Sequence, residues 1–205
     1  MSTFMGFAVV DLEPGTDPQA LFDGLAAAVQ EPPLSKRVSP VAVWLADNDR
    51  VSLFATWGNA WLAEALAAAA EAGRVRRMII GLDHDEYGAE HLILARTPAG
   101  LRRLQHVYVY PEGDRDSEGE PSLLDVPAAD GAEVLDDGTV DGPVAWAAVA
   151  DAYAVPIDRV AATGPYAAVA HEELGVVFTP LEPWWRAVGA EYPIGETPPT
   201  HELFG

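Results

Sequence analysis

The sequence predicts an α+β fold: a mainly antiparallel sheet in the order β-α-β-β-α-β-β-β, helices on one face, and a mostly helical C-terminal part. Three observations predict it. Short apolar runs alternate with stretches of helical spacing through residues 1–110. Two turn-rich breaks, at Tyr87-Gly88 and Thr97-Pro98-Ala99-Gly100, separate three apolar runs with no helix between them, which makes a meander. From Pro143 onward apolar residues recur at helical spacing instead.

Taken in order, Phe4–Val10 is a continuous apolar run and reads as a buried strand. Asp17-Pro18 is an N-cap followed by proline at the first helical position, and Leu21, Phe22, Leu25, Ala28 and Val29 repeat on one face behind it. Pro32-Pro33 stops that helix. Val41–Ala46 and Val51–Trp57 flank Asp47-Asn48-Asp49-Arg50 and read as a hairpin. Asn59 can cap a second helix, Ala60–Ala72, which Gly73 ends. Val75–Asp83, Glu90–Ala95 and Leu104–Tyr110 complete the sheet.

The chain divides into a 1–110 body, an acidic connector over 111–142, and a helical part over 143–205 that is expected to pack on the body as one domain. The connector is the most polar segment: residues 111–141 carry eleven acids and one arginine, half of the chain's net charge of −20. Glu112–Glu120 lacks any apolar residue and reads as a mobile loop. Glu133–Val140 holds an Asp137-Gly138 turn signal of type I′ and reads as an ordered hairpin. In the last part, Val144, Trp146, Val149, Ala150 and Tyr153 mark one helix, Pro165–Leu174 another, Val176–Phe178 a short strand, and Glu182–Val188 a final helical turn or two.

Composition excludes several functions. The chain has no cysteine, which removes disulfides, thiolate catalysis and Cys-ligated metals. A pI near 4.3 disfavours contact with nucleic acid and with anionic membranes, both polyanions. The first residues lack a basic stretch followed by an apolar one, and the alanine-rich run Ala60–Ala72 is too short to span a bilayer, so the chain is expected to be cytoplasmic. No nucleophile elbow, phosphate-cradling glycine loop or dinucleotide fingerprint occurs.

Weaker signals point to chemistry. Asp83-His84-Asp85-Glu86 and Glu90-His91 flank the Tyr87-Gly88 break. A two-residue turn there sets His84 opposite His91, and with Asp85 the pair could hold a divalent metal that activates water. A one-residue slip would put the two imidazoles on opposite faces. Asp136, Asp137 and Asp141 surround Gly138 but lack the alternating spacing of a calcium loop. Ala150–Val160 is similar to the centre of a helix-turn-helix, yet Arg159 is its one base, so a bent pair of packed helices is expected. Arg77 and Arg96 fall at strand ends from which they could face the acidic connector.

Trp184-Trp185, with Tyr192 and Phe204, concentrates aromatics near the C-terminus, which suits either packing or an interface. The functional expectation is a non-enzymatic interaction protein that holds a basic protein partner, as an inhibitor or immunity-type protein does. Its contact residues would be Glu133, Asp136, Asp137, Asp141, Trp184 and Trp185, and it would need no cofactor. The alternative is a metal-dependent hydrolase or small-molecule site at His84, Asp85 and His91.

Overall fold

The computed structural model describes residues 5–30, 40–46, 49–56, 59–84, 88–109, 124–163, 181–191 and 197–204. Asp85, the Glu112–Glu120 loop, the Pro165–Leu174 helix, the Val176–Phe178 strand and Tyr192 lie outside them. The described elements run β1 (Met5–Leu12), α1 (Pro18–Gln30), β2 (Val41–Ala46), β3 (Arg50–Ala55), α2 (Asn59–Glu71), β4 (Val75–Asp83), β5 (Ala89–Thr97) and β6 (Gly100–Val109). The connector then leads into α3 (Pro143–Tyr153), α4 (Ile157–Ala161), α5 (Glu182–Ala187) and β7 (His201–Leu203).

The fold is α+β. One antiparallel sheet has the order β6-β5-β4-β1-β3-β2-β7. Its centre, β4-β1-β3-β2, is two split β-α-β units: each helical crossover skips a strand, and that strand fills the gap. β1 is central, and its buried run from Gly6 to Leu12 reflects burial on both faces. The meander extends one edge, and the C-terminal β7 adds to the other, with Val41 opposite Leu203 and Val43 opposite His201.

Local chemistry explains the boundaries. Asp17 Oδ1 accepts from Gln19 N at 2.9 Å, which caps α1 while Pro18 supplies the first helical φ. At the end of α2 the amides of Gly73 and Arg74 bond Ala70 O and Ala69 O, a Schellman closure.

Side-chain alternation sends each strand's apolar residues to two cores. Ala8, Val10, Met78, Ile80, Leu82, Leu92 and Leu94 pack beneath α1 and α2. Phe7, Val9, Ile79 and Ile93 pack on the opposite face against Val149, Tyr153, Leu181, Trp184 and Trp185. Helices therefore cover both faces over β1 and the meander, the second face being closed by the C-terminal part.

A charged clasp joins that part to the sheet. Asp11, 4% exposed, takes Arg50 Nε at 2.7 Å and Arg77 Nε at 2.5 Å. Arg77 also donates to Ala152 O and lies 4.4 Å from the centre of the Tyr153 ring, while Arg50 donates to Gly189 O at 3.0 Å. Burial pushes the Asp11 carboxyl up, but hydrogen bonds from Arg50 and Arg77 bring it below its ordinary value. Arg77 thus pairs with Asp11 and, among the described residues, with no acid of the connector, and Arg96 bonds Ala70 O at the end of α2. Among the described residues, Arg102 meets an acid of the connector, Asp130, at 3.8 Å.

Candidate functional site

The β4–β5 register decides which ionisable groups meet. Gly81 lies opposite His91, Leu82 opposite Glu90, and His84 N bonds Gly88 O at 2.9 Å. The intervening loop is three residues long, one more than the two-residue turn that would place His84 opposite His91. That odd displacement puts His84 and His91 on opposite faces of the sheet. The expected His84–His91 metal pair is therefore not formed, and among the described residues no three His, Asp or Glu side chains group as metal ligands.

What the register builds instead is a buried acid between two histidines. Glu90 and His106 lie on the face that also carries Leu82 and Leu92. His106 Nε2 donates to Glu90 Oε1 at 2.6 Å, and His84 Nε2 lies 3.5 Å from Glu90 Oε2. Glu90 is fully buried. Burial pushes its carboxyl up, yet hydrogen bonds from His106 and His84, with their charge, bring it down to about 2. Arg103 Nη1 reaches His106 Nδ1 at 3.2 Å, and His84 stacks on Tyr108 with ring centres 5.7 Å apart.

The other face carries a separate chain of contacts. His91 is fully buried, which drives its imidazole down to about 3 and keeps it neutral. Its Nε2 faces Gln105 Oε1 at 3.4 Å, and its ring lies 5.5 Å from that of Trp184. Gln105 Nε2 donates to Asp141 Oδ1 at 2.9 Å, and Trp146 Nε1 donates to the same oxygen at 2.7 Å. Asp141 thus ties the connector to β6 and α3 instead of standing free for a partner.

These two networks fasten the connector along β6. His106 exchanges both backbone hydrogen bonds with Val140, and Arg103 N bonds Pro127 O. Between those anchors the chain makes a tight turn. Gly138 N bonds Leu135 O, Leu135 N bonds Thr139 O, and Thr139 N bonds Asp137 Oδ1. Gly138 has φ +82°, while Asp136 and Asp137 do not have positive φ. The turn is therefore a type I turn followed by a left-handed glycine, not the expected type I′ turn, which needs two positive φ values.

On the outside of this turn Glu133, Asp136 and Asp137 are exposed. Between them Val134 and Leu135 are 49% and 50% exposed, and Val144 on the first turn of α3 is 46% exposed. No basic residue lies between positions 124 and 141. Trp184 and Trp185, expected as contact residues, are instead buried: Trp185 packs on Phe7 with ring centres 4.8 Å apart, and Trp184 covers His91. Phe204 lies edge-on to Trp61 at 6.0 Å.

α3 and α4 form the expected bent pair, joined through Ala154 in the left-handed region. α4 spans five residues and bears Asp158 in its first turn, which gives it neither the length nor the charge of a recognition helix. A cleft of about 530 Å³ opens between the β5–β6 turn and α3. Ala95, Ala129, Ala148 and Ala152 line it together with Arg96, Arg102, Asp130 and Asp151, and the Thr97 hydroxyl is bonded within the turn, to Gly100 O and Ala99 N.

Comparison with protein-family models, with curated proteins and with solved structures finds no match to the chain. Sequence reasoning missed the Glu90–His106–Arg103 cluster because His106 is solitary in sequence and Arg103 passes for a surface charge. It also missed Val134-Leu135. An adjacent apolar pair inside an otherwise acidic, turn-rich segment was the available signal.

Proposed function

We propose that this protein is a non-enzymatic interaction protein that binds a basic protein partner, in the manner of an inhibitor or immunity-type protein. The observation that carries the reading is the half-exposed pair Val134 and Leu135 set among the exposed carboxylates of Glu133, Asp136 and Asp137. An apolar centre with a charged rim is the anatomy of a protein interface: the apolar pair contributes affinity, and the carboxylates steer a cationic surface into register. The net charge of −20 extends that steering beyond the contact itself. The hydrogen bonds of the turn and the anchors at His106 and Gln105 tie the patch to β6, which lowers the ordering cost of binding.

A buried Glu90 between two histidines does not by itself make an active site. It is sealed from solvent, and it does not line the cleft beside α3. Affinity capture with three forms of the chain tests the interaction reading: wild type, Asp136→Lys/Asp137→Lys, and Leu135→Ser. At about 0.01 M salt the wild type should retain a basic protein that about 1 M salt releases. Both variants should lose it. Capture sensitive to the charge reversal alone would reveal nonspecific polyelectrolyte attraction, and no capture by the wild type would remove the reading altogether.

A further inference from the structure

We propose that proton uptake and release at His106 sets how firmly the acidic turn at Asp136, Asp137 and Gly138 is held against β6. Only the consequence for partner binding rests on the interaction reading above; the switch belongs to the chain's own contacts. The argument is one of donors and acceptors. His106 Nε2 lies 2.6 Å from Glu90 Oε1, and an ionised carboxylate only accepts, so Nε2 carries a proton in either charge state of the ring. Glu90 is held at about 2 and remains ionised across the range in which histidines titrate.

His106 Nδ1 has two neighbours with opposite demands. Arg103 Nη1, which only donates, lies 3.2 Å away, and Gly138 O, which only accepts, also lies 3.2 Å away. Nδ1 cannot satisfy both. In the neutral ring its lone pair takes the Arg103 N–H, and Gly138 O faces a lone pair. In the protonated ring Nδ1–H donates to Gly138 O, and Arg103 loses its acceptor. The backbone bonds between His106 and Val140 persist in both states, so the hairpin stays attached while its tip is gripped or let go.

Among the described residues, charged and titratable groups approach His106 from several elements. His84 approaches from the end of β4, Glu90 from β5, and Arg103 and Tyr108 share the His106 face of β6. The connector brings Asp136, Asp137 and Asp141, while His91 lies on the opposite face and Glu64 and Glu71 of α2 are exposed. His84 is the other imidazole that contacts Glu90, so the test must separate the two.

Imidazole ¹⁵N spectra of the full chain, with amide hydrogen exchange at Leu135 and Gly138 corrected for intrinsic pH dependence, provide that separation without any partner present. As acid is added stepwise, the spectra report when a proton reaches His106 Nδ1. Protection of the turn should rise in step by roughly threefold to tenfold, the range of one hydrogen bond. His106→Gln should abolish the rise, and His84→Gln should retain it. Arg103→Met removes both the competing donor and a nearby positive charge, so it should move the transition to higher pH. Protection that ignores Nδ1 protonation, or a transition unmoved in Arg103→Met, would overturn the proposal even if His106→Gln fails to fold. Because no partner enters the measurement, its failure is distinguishable from failure of the interaction reading.

Discussion

Glu90 and His91 are neighbours in sequence with opposite electrostatic situations, because alternation sends one to each face of β5. Glu90 is charged and paired; His91 is neutral and enclosed. Both make the fold acid-sensitive, in different windows. An unfolded His91 takes up a proton near its ordinary 6.5, but the folded one resists until about 3, so its contribution is complete above 6.5 and drains away on acidification. Glu90 is ordinarily near 4.5 and lies at about 2 when folded, so its contribution is lost as pH falls between those values. His91→Leu should therefore flatten the dependence of urea-unfolding stability on pH between about 6 and 5, where one proton is worth up to about 1.4 kcal/mol per pH unit. Glu90→Gln should flatten it below about 4.5 while lowering stability near neutrality. An unchanged slope in His91→Leu would show that the ring already binds a proton in the folded state.

Strands and helices were the most legible elements. β2 and β4 begin and end where apolar runs meet polar residues, and α1 begins where Asp17-Pro18 predicts. Register was less legible, and Gly88 shows why. It looks like a turn glycine, yet its φ of +138° serves close approach to β6: a Cβ there would meet Tyr108 Cε1 at 2.8 Å and would collide with Val109 O. The glycine answers a neighbouring strand that lies far along the chain, so the Tyr87-Gly88 pair misreports the loop length. A local conformation that departs from its residue type is Ala154, exposed with φ +53° at the C-cap of α3. Left-handed backbone costs an L residue about 1–2 kcal/mol, so Ala154→Gly should raise unfolding stability by roughly 1 kcal/mol. A loss of stability in equilibrium denaturation would mean that the Ala154 side chain matters more than the strain.

The C-terminal layer approaches the sheet closely at Gly81. A Cβ on Gly81 would meet Leu181 Cδ1 at 3.0 Å and would overlap the Trp185 ring. Trp185 is 1% exposed and packs on Phe7, so the indole has no room to retreat. Gly81→Ala should lower unfolding stability by about 1–3 kcal/mol and increase amide exchange in α5 more than in α2. Equal exchange in both helices would contradict an effect centred on this contact. The same layer is clasped by Asp11 through Arg50 and Arg77, whose reach to Gly189 O and Ala152 O fastens the C-terminal helices to β1 and its neighbours. No described helix is long and apolar enough to cross a membrane.

The α+β class, the order of elements from β1 to β6 and the helical character of residues 143–153 follow from the sequence, because apolar periodicity, caps and breakers act over a few residues. So does the acidity of the connector. Tertiary structure alone decided which ionisable groups meet. It separated His84 from His91, joined Glu90 to His106 and Arg103, drew Trp184 and Trp185 into the second core, and left Val134 and Leu135 outside. Those outcomes depend on strand register and on packing between segments distant in the chain, and a shift of one residue reverses every side chain on a strand.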